Sequence, residues 1–490
     1  MKNKPQGRDI VIIGSGIGGL SAGILLSSLS CQVTVVEKNP LPGGLMRSYR
    51  RAGLDCPVGV HYLGALGEGE PMGRMFDALG IAANEIFTPM GNEGVIDRYI
   101  FDDFTFDLPA NIDAYENNLR RAFPAEAAAI KSFMKNLREI HRRMFNPAFL
   151  INQGDPFQNI DYLQPLGEYL DKLAVSPRLR AVFSVPCELF GVPSADCPVL
   201  LHHMVLAGYL FSAWRLTENG ARMTDALVQR FRKLGGQIIL NDGAEKILTG
   251  ESMVQGARLA SGREISADYV VADIHPKILL GLMDNNALRP SLVQRILDLK
   301  ETNGVICAQI SVDAAAHPET AHNTYRLQTN EKGEIKDGVF YQIRKGNAQA
   351  NLLSIITRSF FEEWSAWENS ASGRRPKGYT EKKAALADEL LQKAQIVLGP
   401  LKNARIIDVF TPLTIRDYVN CPHGSCYGVM RSAQQLLKIA SINNLPVGGL
   451  YLTGQNALAP GVLGSILGSF EVTRKIIGTQ EFNHRIGWLS

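Results

Sequence analysis

Ile10-Val11-Ile12-Ile13-Gly14-Ser15-Gly16-Ile17-Gly18-Gly19 runs a β-branched stretch directly into a glycine-rich loop. Four consecutive apolar residues suit a parallel strand covered on both faces. The loop carries G-x-G-x-x-G at Gly14, Gly16 and Gly19, and residues 20–29 follow with helical spacing and two small residues, Ala22 and Gly23, where a helix must approach a sheet. Val33-Thr34-Val35-Val36 then reads as a second strand, and it ends in Glu37-Lys38. Each part has a physical role. Gly14 permits the tight turn, Gly16 lets backbone N–H groups reach a pyrophosphate, and Gly19 lets helix and strand approach. The helix N-terminus, with Ser15 and Gly18 in the loop before and after its start, adds partial positive charge. Glu37 stands about 20 residues past the loop, where a carboxylate accepts hydrogen bonds from an unphosphorylated ribose. Strand, glycines, helix, strand and acid in this order predict a dinucleotide-binding unit.

Downstream, Pro42-Gly43-Gly44-Leu45-Met46-Arg47 adds a second glycine pair. A backbone folded against a longer cofactor needs such an element and a simple NAD domain does not, so the expectation is FAD, bound non-covalently. The far end of the chain mirrors the first loop. Gly448-Gly449-Leu450-Tyr451-Leu452-Thr453-Gly454-Gln455 reads as a strand ending in a turn, and Ala459-Pro460-Gly461-Val462-Leu463-Gly464 opens the last helix. Gly454 permits close backbone approach, while N–H groups from Gly461 to Leu463 can face an electron-rich flavin edge. The two glycine clusters are expected to form halves of one cradle.

The run from Gly14 through Glu37 to Gly43, Gly44 and Arg47 resembles the two-dinucleotide-binding flavoproteins of the amine oxidase superfamily. Gly53-Leu54-Asp55-Cys56-Pro57-Val58-Gly59-Val60-His61-Tyr62-Leu63-Gly64 is similar to its phytoene desaturase, carotenoid isomerase and retinol saturase branch, and the Gly59–Gly64 portion is nearest in form to the retinol saturases. Departures occur at Leu45, Pro57 and Gln455, where many relatives carry Arg, Asp and an acid. The resemblance extends over residues 9–478. It implies an α/β architecture: a Rossmann-like FAD-binding domain of amine oxidase type, interleaved with an α+β substrate domain that contains an antiparallel sheet and a helical insertion. The FAD-binding parts would be 1–94, 216–280 and 441–490, and the substrate domain 95–215 and 281–440. By the same resemblance Gly59 and Val60 adjoin the cofactor, the backbone near Ala244 lies by the adenine, and residues 411–418 and 424–428 border the substrate cavity. His61 and Tyr62 become candidates for a proton donor or a flavin-facing wall. A structural histidine at a strand end is the other reading of His61.

The activity implied is an FAD-dependent oxidoreductase acting on carbon–carbon bonds of a hydrophobic polyene or isoprenoid, by hydride transfer at flavin N5, as desaturase, saturase or isomerase. One alternative is a flavin amine or amino-acid oxidase. Another is a non-catalytic lipid-binding relative resembling the Rab escort proteins, which Glu37 and both glycine clusters argue against.

Composition sets the outer limits. With 51 Lys+Arg against 48 Asp+Glu, the whole chain carries no phosphate-seeking field, which excludes nucleic acid as the expected partner. At 45% hydrophobic and 20% charged residues, the chain is globular rather than disordered. Its 7 cysteines are scattered without a C-x-x-C pair, so neither a disulfide framework nor a metal site is expected. No leader peptide is expected from the first residues, and the scattered cysteines suit a reducing cytosol, so a cytoplasmic setting is expected. Residues 198–214 form the most apolar stretch, interrupted by His202 and His203. They predict a buried helix, with a helix dipping into one leaflet as the other reading. Residues 369–379 carry three cations beside Trp364 and Trp367, and read as a solvated loop or as a peripheral membrane contact. Oligomeric state is left open. Further along, the patterns predict a hairpin within 95–109, helices over 112–144 and 166–189, and strands at 306–312, 325–329, 339–344 and 351–357.

Overall fold

Ile10–Ile13 lies at the centre of a five-stranded parallel sheet ordered Gln237–Ile239, Gln32–Val36, Asp9–Ile13, Tyr269–Ala272, Leu450–Leu452. The structure is a computed structural model that describes residues 8–150, 162–217, 220–284 and 286–486. Residues 1–7, on which the expectation of no leader rests, lie outside the described residues. Every apolar residue of the central strand is buried, as double coverage requires. Helix Ile17–Ser28 covers one face and is itself buried almost throughout. It packs between helix Gly220–Lys233 and helix Gly461–Ile477, so segments far apart in the chain close over one strand.

The second large sheet has seven strands, ordered Arg405–Phe410, Gly304–Asp313, Ala350–Ser359, Ile335–Arg344, Asn323–Thr329, Asp97–Ile100, Thr105–Leu108. All four strands expected between 306 and 357 are present, each longer at one or both ends. The sheet is not wholly antiparallel. Asn323–Arg326 runs parallel to Asp97–Ile100, because the predicted hairpin arrives from an earlier segment and joins the outer strand instead of continuing the meander. Helix Lys377–Leu398 packs on this sheet.

The helical insertion departs from expectation at one point. The run 112–144 divides into Ile112–Ala122 and Ala127–Arg143 around Pro124, which lacks the N–H that a helix interior needs. Residues 199–211 form a helix with both His202 and His203 fully buried. His202 Nε2 lies 2.7 Å from the Phe183 carbonyl and its Nδ1 lies 3.0 Å from His203 Nδ1. These imidazoles are core groups satisfied largely within the insertion. Among the described residues, no helix is long and apolar enough to cross a membrane.

The basic loop is anchored. Arg375 pairs with Asp417 and stacks over Tyr379, while Trp364 is buried with its indole N–H donated to Ser359. Of the three cations only Arg374 and Lys377 stay at the surface.

Phe231 ties helix Gly220–Lys233 to helix Ile17–Ser28. A Cβ on Gly23 would stand 2.9 Å from its ring and one on Gly236 2.1 Å, so the ring fills a slot that two glycines leave open. Phe231→Ala should lower stability by about 3–5 kcal/mol in chemical denaturation. A cost below about 1 kcal/mol would show that this ring does not hold the helix.

Candidate dinucleotide cleft and adjoining apolar cavity

The cleft opens at the carboxyl ends of the parallel strands: Gly14, Glu37 and Asp273 each follow directly on a strand. Gly14 has φ +100°, and a Cβ there would stand 2.6 Å from the Asp273 carbonyl oxygen. Gly43 has φ +113°, which turns the second glycine pair back so that a Cβ on Gly44 would stand 3.3 Å from the Gly16 Cα. From the other end of the chain, Gly454 closes in. A Cβ on Gly18 would lie only 2.5 Å from the Gly454 Cα. The two glycine clusters therefore touch backbone to backbone, and they border a cleft of about 1270 Å³ counted out to its mouth.

Glu37 is held at four points. One oxygen accepts the Ser15 N–H (3.1 Å) and hydroxyl (2.6 Å), the other the Asn39 N–H (2.9 Å) and side-chain amide (2.7 Å). Four donors of the protein thus hold the carboxylate in a fixed position at the strand end. Lys38 Nζ donates to the Asp417 carbonyl at 3.1 Å, and Asn39 and Arg47 both donate to the Tyr418 carbonyl at 3.0 Å. These bonds fix helix Pro412–Val419 and the following turn beside the cleft, and burial lowers the Lys38 pKa. Tyr418, Cys426 and Tyr427 line this cleft, so the segment expected at a substrate border stands at the dinucleotide site. Burial pushes the Cys421 and Cys426 thiols up to about 12, which keeps both protonated at neutral pH. Helix Gly461–Ile477 begins at the opposite wall with no side-chain cap, leaving first-turn N–H groups to the cleft.

Of the cofactor-site residues expected from sequence, all but four line the cleft. Gly19 gives its N–H to the Asp273 carboxylate at 2.8 Å. Arg47 is committed to the Gly44 and Tyr418 carbonyls and acts as a brace. Gly454 packs against Gly18, and Leu463 faces a different cavity. Asp273 and Asn39 were missed. The acidic end of the strand at 267–273 is a visible signal, but its partner, the first helix, is 254 residues away. Two glycine loops with no room for side chains, a fixed carboxylate at a strand end and uncapped helix N–H groups fit a dinucleotide.

His61 and Tyr62 do not line the cleft. Tyr62 is buried, and its hydroxyl lies 2.9 Å from Asp97 Oδ2 and 2.9 Å from the Tyr325 hydroxyl. Asn323 donates to Asp97 at 2.8 Å and accepts from Gln342 at 2.7 Å. His61 packs edge-on to Phe340, and neither ring nitrogen meets a partner in hydrogen-bond geometry, although Gln342 lies close. Burial, aided by the Arg344 charge, pushes His61 down to about 3. Burial thus favours the neutral imidazole here.

A second cavity, about 670 Å³ counted with the space open to solvent, adjoins the first, and Gly461 and Val462 border both. Helix Val199–Phe211 supplies one wall through Leu201, Met204, Val205 and Tyr209. Among the described residues lining it there is no charged side chain, and the Tyr209 hydroxyl is the sole polar side-chain group.

The profile of the NAD(P)-binding Rossmann-like domain matches residues 12–79. Over 95% of its length the chain aligns with an all-trans-retinol 13,14-reductase of Danio rerio, at 22% identity and covering 85% of that protein. Over 91% it aligns with the chloroplastic prolycopene isomerase of Arabidopsis thaliana, at 23% identity and covering 79% of that protein. A putrescine oxidase solved with putrescine bound superposes with a TM-score of 0.65 over 96% of this chain and 99% of its own, at 15% identity, and shares the fold.

Two outcomes follow from this geometry. A Cβ on Gly16 would stand 2.6 Å from the Asp273 carboxylate, so Gly16→Val should abolish FAD binding, read by quenching of flavin fluorescence. Retained binding would show that the dinucleotide does not lie on this loop. Burial raises the Asp97 carboxyl from 3.8 to about 7, so between about pH 4 and pH 7 the folded chain keeps a proton that the unfolded chain has lost. Stability contributed by this group therefore falls as pH rises through that window. Asp97→Asn should gain melting temperature relative to wild type between about pH 5 and pH 8. Parallel pH profiles would mean that Asp97 titrates as an ordinary carboxyl.

Proposed function

We propose, from this chain's kinship along nearly its whole length with the all-trans-retinol 13,14-reductases and prolycopene isomerases, that it is an FAD-dependent oxidoreductase acting on carbon–carbon bonds of a carotenoid- or retinoid-like polyene. The observation that carries the substrate class is the uncharged second cavity, which meets the dinucleotide cleft at Gly461 and Val462. Bound FAD would supply hydride exchange at its N5, because an isolated polyene offers no polar handle for side-chain chemistry. The chain's own part is to hold, orient and dry. Backbone groups of Gly14–Gly18 would meet the pyrophosphate, Glu37 the ribose, and the first turn of helix Gly461–Ile477 the electron-rich ring edge. Leu201, Met204 and Val205 would keep water from the reacting bond. Tyr62, braced through Asp97 and Asn323, packs against Tyr209 of the apolar cavity and would stiffen that wall. Desaturation, saturation and isomerisation all place the same apolar chain beside the same ring.

An amine oxidase shares the fold, but an alkylammonium entering this second cavity would find no carboxylate, and a charge without a partner is costly to bury. A polyene dissolves in a bilayer, so we further propose a cytoplasmic protein that touches membranes peripherally to collect it.

Purified protein should be yellow and release FAD on denaturation. Val205→Glu puts a carboxylate into the apolar cavity, and turnover of a retinoid or carotenoid should fall about 100-fold with FAD content unchanged. Unaltered turnover would mean that the substrate does not use this cavity.

A further inference from the structure

Asp273 lies at the floor of the cleft, where the strand Tyr269–Ala272 ends against the start of helix Ile17–Ser28. Its Oδ2 accepts the Gly19 N–H at 2.8 Å, and a Cβ on Gly16 would stand 2.6 Å from the same oxygen. Its Oδ1 lies 1.9 Å from where a Cβ on Gly454 would stand. One carboxylate thus touches both glycine clusters and takes an N–H from the first turn of the first helix. That helix start is also the pole on which a dinucleotide pyrophosphate rests. Two anions compete for one partial positive charge.

The surroundings offer Asp273 no cation. The glycine loops carry no ionisable side chain. The neighbouring strand ends in Glu37, an acid whose charge opposes a second negative charge nearby. From the turn after helix Pro412–Val419 comes Cys421, whose thiol is protonated. On its own segment His275 is buried and held neutral, pushed down to about 3. Lys38 turns its ammonium to the Asp417 carbonyl. Asp273 is partly exposed and lines the cleft, so an occupant would remove water from the carboxylate while bringing phosphate charge beside it.

We infer, on the FAD reading above, that Asp273 takes up a proton when the pyrophosphate enters, so that cofactor binding is coupled to protonation and weakens with rising pH. Burial already raises this carboxyl to about 7. Below that value the acid is neutral beforehand and pH matters little. Above it every binding event imports a proton, and Kd rises by up to tenfold per pH unit.

Apoprotein titrated with FAD between about pH 6 and pH 9 tests this, with fluorescence quenching for affinity and calorimetry in two buffers of different ionisation enthalpy for the proton count. In the wild type, Kd should rise about tenfold or more from pH 7 to pH 9, with uptake approaching one proton per FAD at the upper end. Asp273→Asn keeps an acceptor for Gly19 without a charge, and it should bind with nearly pH-independent affinity and no uptake. The wild-type proton count needs no variant, so zero uptake across the range overturns the inference even if Asp273→Asn fails to fold. An Asn variant that retains the wild-type pH profile overturns it as well. If the wild type binds no FAD at any pH, the cofactor reading itself falls, and the Asp273 inference with it.

Discussion

The backbone contact between Gly18 and Gly454 organises the site. A single methyl group on Gly18 would meet the Gly454 Cα at 2.5 Å, so the first helix and the turn after the last strand can approach only because neither carries a side chain there. That approach sets the depth of the cleft and seats helix Gly461–Ile477 along helix Ile17–Ser28. It also brings Asp273 within reach of both loops. Placement of the other cleft groups follows: Glu37 at the neighbouring strand end, then Lys38, Asn39 and Arg47 reaching over to carbonyls at 417 and 418.

The two cavities differ in chemistry, and their boundary is one helix start. On one side are carboxylates, backbone N–H groups and braced cations. On the other are aliphatic side chains with one tyrosine hydroxyl. Gly461 and Val462 face both, and Leu463 turns wholly to the apolar side. On the proposed function a dinucleotide, which needs polar groups along most of its length, and a polyene, which needs none, would meet end to end at this uncapped helix, each in its own surroundings.

What was legible in sequence is what depends on local pattern or on backbone alone. The strand at 10–13, its glycine loop and Glu37 are read from neighbouring residues, and the strands between 306 and 357 from alternation. Glycine at 14, 16, 43 and 44 speaks for itself because it marks where a backbone must bend or approach. The parallel pairing of 323–326 with 97–100 was not legible, since nothing in either strand encodes the partner's direction. Asp273 and Asp97 escaped for the same reason: an acid at a strand end has no stated role until a helix start or a tyrosine hydroxyl from another segment meets it. Leu463 faces the other cavity because consecutive residues at a helix start point to different sides, and sequence alone does not say which side holds which cavity. His61 and Tyr62 were singled out by resemblance, and the structure places both outside the cleft, Tyr62 hydrogen-bonded to Asp97 and Tyr325.

The interleaving has a consequence for how the chain is made. The parallel sheet takes its strands from 9–13, 32–36, 237–239, 269–272 and 450–452. A ribosome must therefore emit nearly the whole chain before the sheet's last strand and the helix at 461–477 exist. Until then the apolar flank of helix Ile17–Ser28 has no cover, and closing the sheet means joining segments hundreds of residues apart, the slow kind of contact. Synthesis thus has a long interval in which that flank stays uncovered. The cradle then forms in one late step, together with the last helix.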